Sequence, residues 1–137
     1  MSETADTRRL CQVLTECGAL CFAIVGSEMQ GRGWPDRFIS HPILGEGGVW
    51  IEFKAMKGKL APIQRARLEK LLATKCRAVV GRFVDGGLII EDPWGNDQGY
   101  VPHTDGRAFL KTLKEILERF LIQRSCGRKT SGERGML

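Results

Sequence analysis

The chain has 137 residues, an apolar share of 42% and a net charge of +5 at pH 7, which fits one packed domain and excludes fibrous and disordered classes. Its apolar runs fall far short of the roughly 20 residues that span a bilayer, and the opening MSETADTRRL lacks the apolar stretch of a secretory signal. Five cysteines with no CxxC pair argue against a disulfide framework or a zinc site, so a cytoplasmic, reducing compartment and no membrane partner are expected.

Residues 4–17 read as an amphipathic helix, with Leu10, Val13, Leu14 and Cys17 at helical spacing and Gly18 placed to end it. Ala19 to Val25 suits a buried strand. Gly26 to Gly33 is a glycine-rich loop. Pro35 to Ser40 and Val49 to Lys54 read as second and third strands. A helix is expected from about Ala61 to Thr74, with Pro62 in the first turn, where its missing N–H costs nothing.

Two further strands, Arg77 to Phe83 and Leu88 to Glu91, flank the turn signal Asp85-Gly-Gly87. Asp92 to His103, rich in Pro, Gly, Asn and Asp, reads as a loop. A last helix is expected from about Asp105 to Gln123. Its stripe is Leu110, Leu113, Ile116, Leu117, Phe120 and Leu121. A single domain over 1–124 and a basic, flexible tail over 125–137 follow. The order predicts an α/β domain, one central mixed sheet flanked by helices.

The chemistry gathers on two strands. Alternation along Val49–Lys54 sends Val49, Ile51 and Phe53 one way and Trp50, Glu52 and Lys54 the other. An isolated Glu-x-Lys is more often a half-exposed charge pair than a catalytic one. The Trp34-Pro35-Asp36 segment changes that, because Pro holds the residue before it extended and an antiparallel pairing can bring Asp36 near Glu52. Two adjacent carboxylates repel unless a proton or cation lies between them. Oxygen ligands suit Mg²⁺ or Mn²⁺. With Lys54 facing the same side, and the Phe53 backbone carbonyl as a further oxygen, this is the equipment of a phosphodiesterase.

Gly33-Trp-Pro-Asp36, Ile51-Glu-Phe-Lys54 and Gly58-Lys-Leu-Ala-Pro-Ile-Gln64 together resemble the VRR-NUC branch of the PD-(D/E)xK nucleases, over roughly residues 3–82. Relatives of this branch include stand-alone phage and bacterial nucleases and domains that act on branched or flapped DNA, with Holliday-junction-resolvase-like proteins as a subcase. The resemblance implies a restriction-endonuclease-like αβββαβ core, Mg²⁺- or Mn²⁺-dependent DNA cleavage, and a homodimer. It makes Asp36 and Glu52 metal ligands, Lys54 the catalytic lysine, and Gln64 the glutamine of the following helix. The family's first-helix acid is matched loosely, by Asp6 or Glu3, which share the face of Leu10 and Val13. Arg32, Arg37, Lys57 and Lys59 flank the motifs as phosphate-positioning side chains would.

The expected function is a divalent-metal-dependent deoxyribonuclease, structure-selective for flaps, forks or junctions. The alternative is a catalytically inactive nucleic-acid-binding scaffold of the same fold.

Overall fold

The computed structural model describes residues 3–24, 33–103 and 105–132, with side chains described over 5–24, 33–103 and 105–119. Helix α1 (Glu3–Glu16) leads into strands β1 (Leu20–Ala23), β2 (Arg37–Ser40) and β3 (Val49–Lys54), with a 3-10 turn at Pro42–Leu44. Then come helix α2 (Pro62–Ala73), strands β4 (Ala78–Val84), β5 (Gly87–Glu91) and β6 (Asp97–Pro102), and helix α3 (Gly106–Gly132). The strands form one mixed sheet in chain order, antiparallel throughout except for the parallel pair β3–β4. That parallel step is the one α2 makes possible, since a parallel return needs a crossover.

The expected αβββαβ order is present, but one element was not anticipated. Asp97–Pro102 is a sixth strand where a loop was read. Its apolar signal is only Tyr100 and Val101, and Gly99 and Pro102 disfavour a strand. It forms because β5 supplies a partner edge, with a register shift at Ile90/Glu91. At the other end the helical backbone of α3 continues to Gly132, past the expected end at Gln123. Gly127 alone, costing about 1 kcal/mol in a helix interior, does not end it.

Two apolar layers sandwich the sheet. On one face Leu10 and Leu14 of α1 and Phe109, Leu110, Leu113 and Leu117 of α3 pack on Ile39, Val49, Ile51 and Phe53. On the other, Leu68, Leu71 and Leu72 of α2 cover Ala78 and Val80, with Trp34 and Trp50 at the margin. The alternation of β3 thus separates its faces as its sequence requires: Val49, Ile51 and Phe53 enter the larger core, while Trp50, Glu52 and Lys54 face the α2 side.

The Cys11 and Cys21 sulfurs lie side by side, with Cα atoms 5.9 Å apart, a single pair and not the multi-bridge framework that the cysteine count argues against. The tight reversal at Gly18, φ 90°, lays β1 back along α1, and a search for CxxC spacing misses such a pair. His41 is structural: its Nδ1 accepts from Ile43 N at 3.0 Å, and its Nε2 lies 2.9 Å from Cys17 O. No helix among the described residues is long and apolar enough to cross a membrane.

Candidate active site

The site forms where β2 peels away from β3. The β2–β3 register ends at Arg37↔Ile51, and one step further sets Asp36 opposite Glu52. Paired residues of an antiparallel ladder point to the same face. Pro35 lacks an N–H, and beyond it the edge of β3 loses its β2 backbone partner. The Asp36 side chain takes that place, its Oδ2 accepting from Phe53 N at 3.0 Å. The backbone of Asp36 is held from the other side, its carbonyl accepting from Ile24 N at 2.9 Å.

Gly33 makes this approach possible. It sits at φ 85°, and a Cβ there would fall 2.6 Å from the Ile63 carbonyl oxygen. Only glycine lets the Trp34-Pro35-Asp36 segment lie against the first turn of α2.

Glu52 is nearly enclosed, at 2% exposure. Gln64 Nε2 donates to its Oε2 at 3.0 Å, and Lys54 Nζ stands 3.5 Å from the same oxygen. Gln64 is itself fixed, because its Oε1 accepts from Ala61 N at 2.8 Å. That bond also assigns the amide: the Ala61 N–H can only donate, so the oxygen must face it and the NH₂ must face Glu52. The arrangement puts the Glu52 charge at the N-terminus of α2, where the helix dipole favours an anion.

Asp36 has a carboxyl pushed above its ordinary value. Burial is the leading cause, opposed by the Phe53 N–H, by the charges of Lys54 and Arg37, and by a hydrogen bond with Glu52. Burial in a half-dry cleft favours the protonated form of the Asp36 carboxyl. A divalent cation would relieve the same strain. Phe53 adds an oxygen on that side: Trp50 N donates to Arg77 O on β4, so by alternation the N–H and C=O of Phe53 point to the β2 side, toward Asp36. The donor set is therefore all oxygen, from two carboxylates and a carbonyl, which fits a Mg²⁺-like ion that keeps several waters.

The other sequence candidates are dispersed. Asp6 lines a depression with Ala55, Met56, Phe83, Val84 and Asp85, and α1 packs on the sheet face opposite Glu52. Among the described residues no group of three or more His, Cys, Asp or Glu converges as a metal cage. The Glu3 side chain and Arg32 lie outside the described residues. Arg37 alternates to the face opposite Asp36, since it shares the parity of Ile39. Lys57 and Lys59 are exposed on the loop between β3 and α2.

Among solved structures, the chain is similar to Hjc of Archaeoglobus fulgidus, a Holliday junction resolvase from an archaeal hyperthermophile. The match has a TM-score of 0.53 at 14% identity, over 81% of this chain and 98% of that one. The chain has the restriction-endonuclease-like fold. No protein-family model and no curated protein matches it.

Two further groups of residues adjoin the site. Arg82, opposite Lys54 in the β3–β4 register, donates to both carboxylate oxygens of Glu91 at 3.0 and 3.2 Å. It also donates to the carbonyls of Ala55, Met56 and Gly58. It therefore anchors the loop that carries Lys57. Its only sequence signal is an arginine inside an otherwise apolar strand. The second group is aromatic. Trp50 lies 5.7 Å from Trp34 and 5.0 Å from Phe38 between ring centroids, and the Arg67 guanidinium covers the Trp34 ring at 4.4 Å.

Proposed function

We propose that this protein is a divalent-metal-dependent DNA endonuclease of the VRR-NUC kind, a phosphodiesterase selective for branched or flapped DNA. The observation that carries the reading is the meeting of Asp36, Glu52 and the Phe53 carbonyl on one edge of β3, with Lys54 3.5 Å from Glu52. Charged side chains in a half-buried cleft are costly without a compensating role. The fold shared with a resolvase supports the choice of a branched substrate.

When bound by these oxygens, Mg²⁺ or Mn²⁺ supplies a Lewis acid that polarises the phosphate and makes water acidic enough to attack at neutral pH. Asp36 and Glu52 hold the site's negative charge in place. Gln64 keeps one Glu52 oxygen aimed, so no reorganisation is needed when substrate arrives. Lys54 offers its ammonium to the phosphoryl oxygens and offsets the charge that grows there. Lys57 and Lys59 contact the phosphates on either side and set the register of the DNA without reading its sequence.

Among the described residues one such site forms, so cutting both strands takes two copies, and we assign a homodimer as the working unit. The proposed setting is the cytoplasm of a bacterium or a phage-infected cell, as for stand-alone relatives.

The test is cleavage of supercoiled plasmid and of flapped, forked and four-way DNA with Mg²⁺, Mn²⁺ or EDTA, comparing wild type with Glu52→Ala and Lys54→Ala. Metal-dependent cutting, strongest on branched DNA and lost in both variants, is expected. Binding without cutting under either metal, unchanged in the variants, would replace this reading with an inactive scaffold.

A further inference from the structure

The rung of the sheet next to Asp36 and Glu52 is aromatic on all three strands. Phe38 pairs with Trp50 across β2–β3, and Phe22 pairs with Phe38 across β1–β2. Each is two residues along its strand from the Asp36–Glu52 rung or in line with one that is, so the aromatic rung lies about 7 Å away. All three rings point to the α2 side, because the intervening Cys21, Ile39 and Ile51 pack in the opposite core.

Helix α2 covers β3 and β4 and leaves the outer part of this face open. Phe22 is 53% exposed and Leu20, on the same face, 58%. Trp34 extends the row, with Arg67 above it at 4.4 Å. Folding does not account for this exposure: an apolar ring on an edge strand, beside other aromatic rings, is a liability for aggregation.

We infer that Phe22, Phe38 and Trp50 form a stacking platform for an unpaired base of the nucleic-acid substrate, next to the scissile phosphate. The inference rests on the nuclease reading for its choice of nucleic acid. Charge selects the occupant: the Arg67 guanidinium lies over the Trp34 ring at 4.4 Å, and Lys54, Lys57 and Lys59 follow along the chain beyond the Glu52 rung, in a chain of net charge +5. Aromatic faces next to cations match a strand whose bases are unstacked, since bases lie flat on rings while phosphates meet the cations. An intact duplex keeps its base faces inside and can use only the cations. The platform thus gives the site a preference for DNA with a single-stranded segment, the feature that flaps and forks share.

The test measures binding in EDTA, where no cleavage is required. The probes are a short single strand carrying 2-aminopurine, the same strand made abasic at that position, and a blunt duplex. Phe22 is exposed enough for Phe22→Ala to fold, which its thermal midpoint checks. Quenching of 2-aminopurine is expected with wild type. Phe22→Ala should weaken single-strand binding about 5- to 100-fold, the range of one lost base stack, and leave duplex binding unchanged; Phe22→Trp should restore it. Equal affinity of wild type for the abasic and intact strands would overturn the platform. So would a wild-type dimer that Phe22→Ala dissociates without loss of single-strand affinity, which would assign the face to a second copy of the chain. The nuclease reading fails separately, if base-dependent binding holds but neither metal supports cleavage.

Discussion

Gln64 joins the first turn of α2 to the carboxylate of Glu52, accepting from Ala61 N at 2.8 Å and donating to Glu52 Oε2 at 3.0 Å. One amide thus does half of a helix cap and aims an acid of the site. Gln64→Glu keeps the shape and the Ala61 bond but sets a second negative charge against Glu52. We predict that its cleavage rate or metal affinity falls about 10- to 100-fold, the usual cost of losing a partner behind a ligand. Gln64→Ala should show a similar loss and destabilise by about 1–2 kcal/mol through two missing hydrogen bonds. Metal titrations of cleavage and urea unfolding of both variants check this. Activity at the wild-type level in both would reduce Gln64 to a cap.

Asp36 makes the metal-free fold sensitive to pH. Burial raises its folded-state pKa above the ordinary carboxyl value, so as pH rises the unfolded chain loses this proton first. Between the two values the folded state holds more protons, and stability falls across that window. The penalty is complete above the raised pKa and absent below the unfolded one. Asp36→Asn retains an acceptor for the Phe53 N–H without the charge. In EDTA at pH 7 it should therefore melt at or above the wild-type temperature, with the gap closing on acidification toward the unfolded pKa. Mn²⁺ should raise the melting temperature of wild type and not of the variant. A variant that melts lower at pH 7 in EDTA would show that the Asp36 charge stabilises the fold.

The legible parts were those with local causes. Strand β3 was read at its observed limits, Val49–Lys54, because six residues alternate cleanly and both neighbours break the pattern. Helix α2 lies within one residue of its expected ends, since Pro62 marks the first turn. The approach of Asp36 to Glu52 followed from assuming a β2–β3 pair. What stayed hidden depends on partners distant in sequence. Strand β6 exists because β5 offers an edge. Arg82 finds carbonyls on a loop more than twenty residues earlier. The aromatic rung needs the register of three strands at once. Asp6 lies on α1, which packs on the face of the sheet opposite Glu52, a placement that helical spacing alone does not reveal.

Arg82 should govern the loop after β3 more than the chemistry. It is mostly enclosed, binds Glu91 with two nitrogens and serves three loop carbonyls. A lysine has one ammonium and cannot reproduce that fork. Arg82→Lys is predicted to lose about 2 kcal/mol in urea unfolding. It should also speed hydrogen exchange at Gly58 N, which donates to Ala55 O at 2.9 Å. Both effects should appear without DNA or metal. Unchanged exchange at Gly58 would mean that the loop holds its shape without Arg82.

Lys54 permits a sharper test, because a catalytic and a merely neutralising role differ in sign. Its ammonium is 3.5 Å from Glu52 Oε2 and therefore competes with any cation for the same oxygen. Lys54→Met keeps the aliphatic stem and removes the charge. If Lys54 stabilises charge on the reacting phosphate, cleavage at saturating metal falls about 10²- to 10³-fold. Metal affinity should move the opposite way, since the carboxylates then face the ion without a resident cation. Mn²⁺ binding followed by electron paramagnetic resonance and cleavage at saturating Mn²⁺ measure the two effects independently. Tighter Mn²⁺ binding with a large loss of rate is the expected outcome. Tighter binding with an unchanged rate would leave Lys54 as the counter-ion of Glu52 and assign the transition-state charge to another cation.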